Sequence, residues 1–140
     1  MQINSVLLES ESRFDFPETL QQIEKQAVEK GWMIPTRHDL KATLGKTAID
    51  VLDVTILELC NSSYSATLMR EDEFRYISSL MPSRISVYVK YNGKTFVSRV
   101  NSTMLSMFMG GTIGQVMGQS GDEIESLLRA ILVEEPLPDF

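Results

Sequence analysis

The chain has 140 residues, of which 43% are apolar and 23% charged, with a formal net charge of −6 at pH 7. That size suits one continuous core and is too small for two ordinary domains. A single cysteine and a single histidine exclude an internal disulfide, a CxxC redox pair and a structural zinc site. Residues 101–140 set Arg129 alone against six acids, leaving 12 bases against 13 acids in residues 1–100, so the basic excess that drives non-specific nucleic-acid binding is missing.

The opening residues Met1-Gln2-Ile3-Asn4 lack the basic start and apolar core of a signal peptide, which with the lone thiol gives a cytoplasmic setting as the expectation. A strand is predicted over Ile3 to Glu9. A helix follows over Pro17 to Lys30, introduced by Asp15 with Glu18 three residues on, carrying Leu20, Ile23 and Ala27 on one face and ended by Gly31. Trp32 to Thr36 reads as a strand at a sheet edge, because Pro35 has no N–H for a ladder. His38 to Leu44 is compatible with a turn or two of helix. Val54 to Cys60 is apolar on both faces, as suits a strand with a neighbour on each side, and Ser62 or Ser63 can cap a helix running to about Glu71.

Arg84 to Asn101 reads as two strands around Asn92-Gly93. Pairing Val89 with Phe96, Val87 with Ser98 and Ile85 with Val100 leaves Arg84, Lys90, Val97 and Arg99 on an opposite, cationic face. Val100 to Gly121 is uncharged but interrupted by polar residues, so it does not meet the requirement of about 20 predominantly apolar residues for a membrane span. Within it, Met104, Met107 and Met109 are thioethers that could suit Cu(I), although their spacing with Leu105 and Phe108 also describes a buried helix. Gly110, Gly114 and Gly118 recur every fourth residue, without the lysine of a phosphate loop, and suggest a mobile loop or an oligomer contact. Ser120 and Glu123 form a capping box for a last helix bearing Ile124, Leu127, Leu128, Ile131 and Leu132, stopped by Pro136.

This order of elements predicts an α+β fold: a single antiparallel or mixed sheet with helices packed mainly on one face, in two layers. Residues 1–140 form one domain in this reading, with a core over about 12–109 and a glycine-rich segment and helix over 110–135.

The chain resembles the domain-of-unknown-function 302 family through Gly31-Trp32, Asp39-Leu40-Lys41-Ala42-Thr43-Leu44, Ile56-Leu57-Glu58-Leu59-Cys60-Asn61 and Leu80-Met81-Pro82-Ser83-Arg84-Ile85, in order, between about Ser12 and Met109. The resemblance implies a small α+β domain, often an oligomer, with no established activity. Members commonly carry proline where this chain has Ser62, and often a second cysteine where it has Ser83.

Cys60 is either a thiol activated by the helix expected to follow it or a small buried filler. Asn61 reads as a cap or turn former, and Asp39 as a helix cap rather than the orienting partner of His38. Glu58 shares a strand face with Cys60 and can be neutralised by Arg84 or Arg99. The expected function is a small-molecule binding or sensing module with its site at Cys60, Asn61, Glu58, Ser83, Arg84 and Asp39, in a homo-oligomer, with no metal, cofactor, nucleic acid or membrane span. The alternatives are a thiol-dependent enzyme or redox protein using Cys60, and an oligomeric interaction protein using residues 103–119.

Overall fold

A computed structural model of the chain describes residues 2–3 and 6–134. Strands β1 (Gln2–Ile3), β2 (Leu7–Glu11), β3 (Met33–Asp39), β4 (Val54–Cys60), β5 (Ser83–Val89) and β6 (Thr95–Val100) form one antiparallel sheet in the order β1-β2-β6-β5-β4-β3. The helices are α1 (Phe16–Glu29), α2 (Leu40–Gly45), α3 (Ser62–Met69), α4 (Ser102–Met109) and α5 (Gly111–Leu128), with a 3₁₀ segment over Asp72–Leu80. The fold is α+β, as expected, and the sheet is wholly antiparallel.

Local chemistry explains most of the boundaries. Asp15 caps α1 by accepting a hydrogen bond from the Glu18 N–H at 3.0 Å, so the first turn keeps few unsatisfied donors. Asp39 does the same for α2 through Ala42, and Asn61 for α3 through Ser63. The edge strand β3 runs on past Pro35 to Asp39 by shifting register between Met33 and Thr36. The predicted first strand is instead two, because the chain folds back and β2, extended to Glu11, pairs with β6.

The β5–β6 hairpin differs from its predicted register by one residue. Lys90 and Lys94 close a turn of Tyr91, Asn92 and Gly93, in which Gly93 alone has positive φ (+82°), so this is a three-residue loop rather than a two-residue one. Val87 therefore faces Val97, and Ile85 faces Arg99. A slip of one residue carries a strand's side chains to the other face. Thr95, Val97 and Arg99 thus point toward the helices, and Phe96, Ser98 and Val100 away from them. The outward face is not the cationic surface expected, since Arg99 leaves it and Glu9, Glu11 and Glu58 join it.

The main core joins Leu20, Ile23 and Ala27 of α1 to Leu57 and Leu59, Ile85 and Val87, Val97, and Ile124, Leu127 and Leu128 of α5, with Trp32 at its end. A smaller cluster gathers Leu68 of α3, Ile77 of the 3₁₀ segment, and Ile113 and Val116 from the first half of α5. Arg99 is 5% exposed and makes a two-pronged ion pair with Glu125 (2.9 and 2.7 Å) and a bond to Ser10 (2.9 Å), tying α5 to β6 and β2.

The uncharged segment is a pair of packed helices rather than a mobile loop. A Cβ added at Gly121 would fall 2.1 Å from Ser102 Cβ, and one at Gly114 would fall 2.6 Å from the Ser106 carbonyl oxygen, so the glycines form a notch that receives α4. Ser120 accordingly lies inside α5 and does not cap a new helix. No residue of α4 is buried, and Met107 and Phe108 are 80% and 81% exposed, against the buried helix their spacing suggested. Among the described residues, no helix is long and apolar enough to cross a membrane. The predicted stop at Pro136 lies outside the described residues.

Candidate functional site

Along β4 the odd-numbered residues Thr55, Leu57 and Leu59 are buried against the helices, while Ile56, Glu58 and Cys60 are half-buried on the opposite face. The six residues expected to form one site therefore divide among three places. Glu58, Arg84 and Cys60 belong to the outer face, Asn61 and Ser83 line a hollow on the helix side, and Asp39 lies at the far end of β4.

On the outer face, Glu58 is paired across the strands with Arg84 at 3.3 Å, and His38 Nε2 also approaches it at 3.3 Å. Arg84 is the neutralising partner; the alternative, Arg99, is committed to Glu125. The same face holds the stacked rings of Tyr88 and Phe96, centroids 6.4 Å apart, with Lys90 Nζ 4.2 Å above the Phe96 ring. Glu9 accepts hydrogen bonds from Lys90 and from the Tyr88 hydroxyl. Burial works to raise the Glu9 carboxyl, but those bonds and the charge of Lys90 outweigh it and hold the group below its ordinary value. Burial, then the bond to Glu9, pushes the Tyr88 hydroxyl up.

Cys60 Sγ lies 3.8 Å from Ser65 Oγ, immediately before the N-terminus of α3, and no cation or imidazole is bonded to it among the described residues. His38 pairs with Ile56 in the ladder, whereas Cys60 pairs with Met33 at the other end of the strand. The two groups are not a dyad.

The hollow sits where β4 ends, α3 begins and the chain enters β5 through the cis Met81-Pro82 bond. Its volume is about 30 Å³, and it lies at the seam of the two clusters, with Trp32 and Leu59 from one and Leu68 and Val116 from the other in its wall. The polar lining is Asn61, Ser65, Ser83, Ser120 and Tyr64. Asn61 uses its amide oxygen to cap α3, which leaves its N–H donors. Hydrogen bonding to Glu123, then burial, pushes the Tyr64 hydroxyl up to about 12. Trp32 is 3% exposed, and its indole Nε1 is buried with no hydrogen-bond partner among the described residues. An enclosed donor without an acceptor costs about 1–3 kcal/mol. Trp32 was missed as a site residue, although a lone tryptophan beginning a strand is a signal in itself, since a buried indole N–H ordinarily finds a partner.

Asp39 accepts from the Ala42 N–H at 3.0 Å and is a helix cap, as its position suggested. It also borders an open cradle of about 530 Å³, where Lys41 bridges the Asp50 carboxylate (3.0 Å) and the Val51 carbonyl (2.6 Å).

No curated protein matches this chain. A crystal structure described as an uncharacterized conserved DUF302 protein from Bacillus stearothermophilus shares its fold, with a TM-score of 0.77 and 19% sequence identity over 88% of this chain and 95% of that one. The sequence match to the family described as Domain of unknown function DUF302 extends over residues 8–132, taking in the glycine-notched helix pair beyond the motifs first noticed, and the chain belongs to that family.

Proposed function

We propose that this protein is a small-molecule binding module whose site is the hollow at the junction of β4, α3 and β5, with Trp32 as its central donor. One observation supports the reading above the others: Trp32, whose enclosed indole N–H has no hydrogen-bond partner among the described residues, lines a hollow that also gathers an amide and three serine hydroxyls. A ligand acceptor relieves that unpaired donor, whereas an apolar occupant does not. The hollow is smaller than a drug-sized pocket, so it receives one end of a molecule while the rest lies toward the mouth. Met81 and Met117 belong to the wall, and their unbranched side chains re-pack easily around an entering group. Glu58 and Arg84 lie outside the site, and Cys60 stands behind Ser65.

The test uses the single tryptophan, which gives one indole N–H resonance. Titrating a set of small carbonyl, hydroxyl and carboxylate compounds should move that resonance saturably with at least one of them. Ser65→Leu, which fills the hollow, should abolish the shift with the circular dichroism spectrum unchanged. An indole resonance indifferent to the whole set rejects the site.

A second reading, self-association through residues 103–119, is supported by the exposed side chains of Met107 and Phe108 at the tip of the α4–α5 pair. Phe108→Ser should then lower the sedimenting mass without unfolding the chain; an unchanged mass removes this surface from consideration.

A further inference from the structure

The lining of the hollow also bears on the chemical class of the ligand, an inference that rests on the binding reading above. No charged side chain lines it among the described residues; the polar residues of its wall are Trp32, Asn61, Tyr64, Ser65, Ser83 and Ser120. We infer that the group entering the hollow is a neutral hydrogen-bond acceptor, a carboxamide or other carbonyl, and not a carboxylate or phosphate.

Three physical points converge on this. A carboxylate placed there sheds its water without a cation to offset the loss, and an unpaired buried charge is far more costly than a buried neutral dipole. The nearby cations are committed elsewhere: Arg84 pairs with Glu58 on the other face of the sheet, and Arg99 is held by Glu125 and Ser10. The electrostatic surroundings also disfavour an anion, because the negative charges of Glu123 and Asp122 act on Tyr64, which is part of the wall, and push its hydroxyl up. A neutral carbonyl oxygen meets none of these penalties and gives the Trp32 N–H its acceptor. Serine hydroxyls can donate or accept, so a carboxamide's own N–H₂ can be satisfied by the same lining. At about 30 Å³ the space exceeds the ~10–15 Å³ that one water needs, so it admits a terminal group and no more.

Acetamide and acetate are nearly isosteric and differ in charge, which makes them the deciding pair. With the indole resonance of the full chain as readout at pH 7, acetamide should produce a saturable shift. Acetate should bind at least roughly tenfold more weakly, a difference of about 1.4 kcal/mol. Ser65→Leu should remove the acetamide response, and Ser83→Val, also in the wall, should weaken it. Saturable binding of acetate equal to or tighter than acetamide overturns the neutral-acceptor class while leaving the binding site in place. If neither compound moves the resonance but another carboxylate or a phosphate does, the class again falls and the site survives, whereas a response confined to another neutral carbonyl compound upholds the class. If nothing moves it, the site and the class fall together.

Discussion

The two faces of this sheet handle polar groups in opposite ways. On the outer face, Glu9, Glu11 and Glu58 each have a lysine or arginine within 3.3 Å, and those cations are 43% to 62% exposed. Solvent shares the task of satisfying them, so each pair stabilises little. On the helix side, Arg99 is sealed in and is held by Glu125 and Ser10, while the Trp32 N–H, equally sealed, has no hydrogen-bond partner among the described residues. Charge density therefore does not locate the candidate site. Enclosure beside a hollow does: among the described residues two buried polar atoms have no hydrogen-bond partner, His38 Nε2 on the outer face and Trp32 Nε1 on the helix side, and Trp32 is the one of the two residues that lines the hollow.

That contrast is sharpest in the ion pairs. Glu125→Gln leaves the Arg99 guanidinium without its carboxylate and should cost roughly 3 kcal/mol in denaturant unfolding. A loss below 1 kcal/mol would show that water reaches Arg99 and that the two faces are alike. Next in size, Gly121→Ala puts a methyl group into Ser102 and should destabilise by about 1–3 kcal/mol, although alanine favours a helix by about 1 kcal/mol over glycine. Gly118→Ala meets the Ser106 side chain, Oγ at 3.0 Å and Cβ at 3.4 Å, and should be much milder.

The titrating groups separate the faces by pH. Tyr64, raised from 10.0 to about 12, contributes stability that is present below pH 10 and lost as the pH climbs toward 12, so Tyr64→Phe should flatten the alkaline limb of the melting curve. Glu9 is shifted the other way. Its contribution is present above the ordinary carboxylate range and lost as the pH falls through its lowered value, so Glu9→Gln should flatten the acid limb. The smallest effect belongs to Glu58→Gln, within about 1 kcal/mol at neutral pH, since its partner Arg84 is 62% exposed and water takes over that charge. A larger loss would mean that the outer face is covered in solution.

Much of the fold was legible where the controlling interaction is local. The Asp15 cap, the span of β4 from Val54 to Cys60 and the stripe of Ile124, Leu127 and Leu128 each depend on residues a turn or a strand apart. The hairpin register was not, because Asn92-Gly93 serves both a two-residue and a three-residue loop, and pairing with β2 and β4 completes the choice. The Ser120–Glu123 spacing resembled a helix start because glycines before it lower helix propensity; α4 packing into the Gly114–Gly121 notch compensates for that weakness. Of the residues grouped by motif order, Asn61 and Ser83 line the hollow and Cys60 touches its wall residue Ser65, whereas Glu58 and Arg84 face the other side of the sheet.

The amino-acid sequence by itself determined which segments become strands and helices over most of the chain, since alternation, caps and breakers act within a few residues. Tertiary packing alone decided which side of the sheet each polar group faces, that Arg99 lies inside, and that the Trp32 indole is enclosed beside the hollow. Burial is a property of what other segments bring alongside, and no short stretch of residues encodes it.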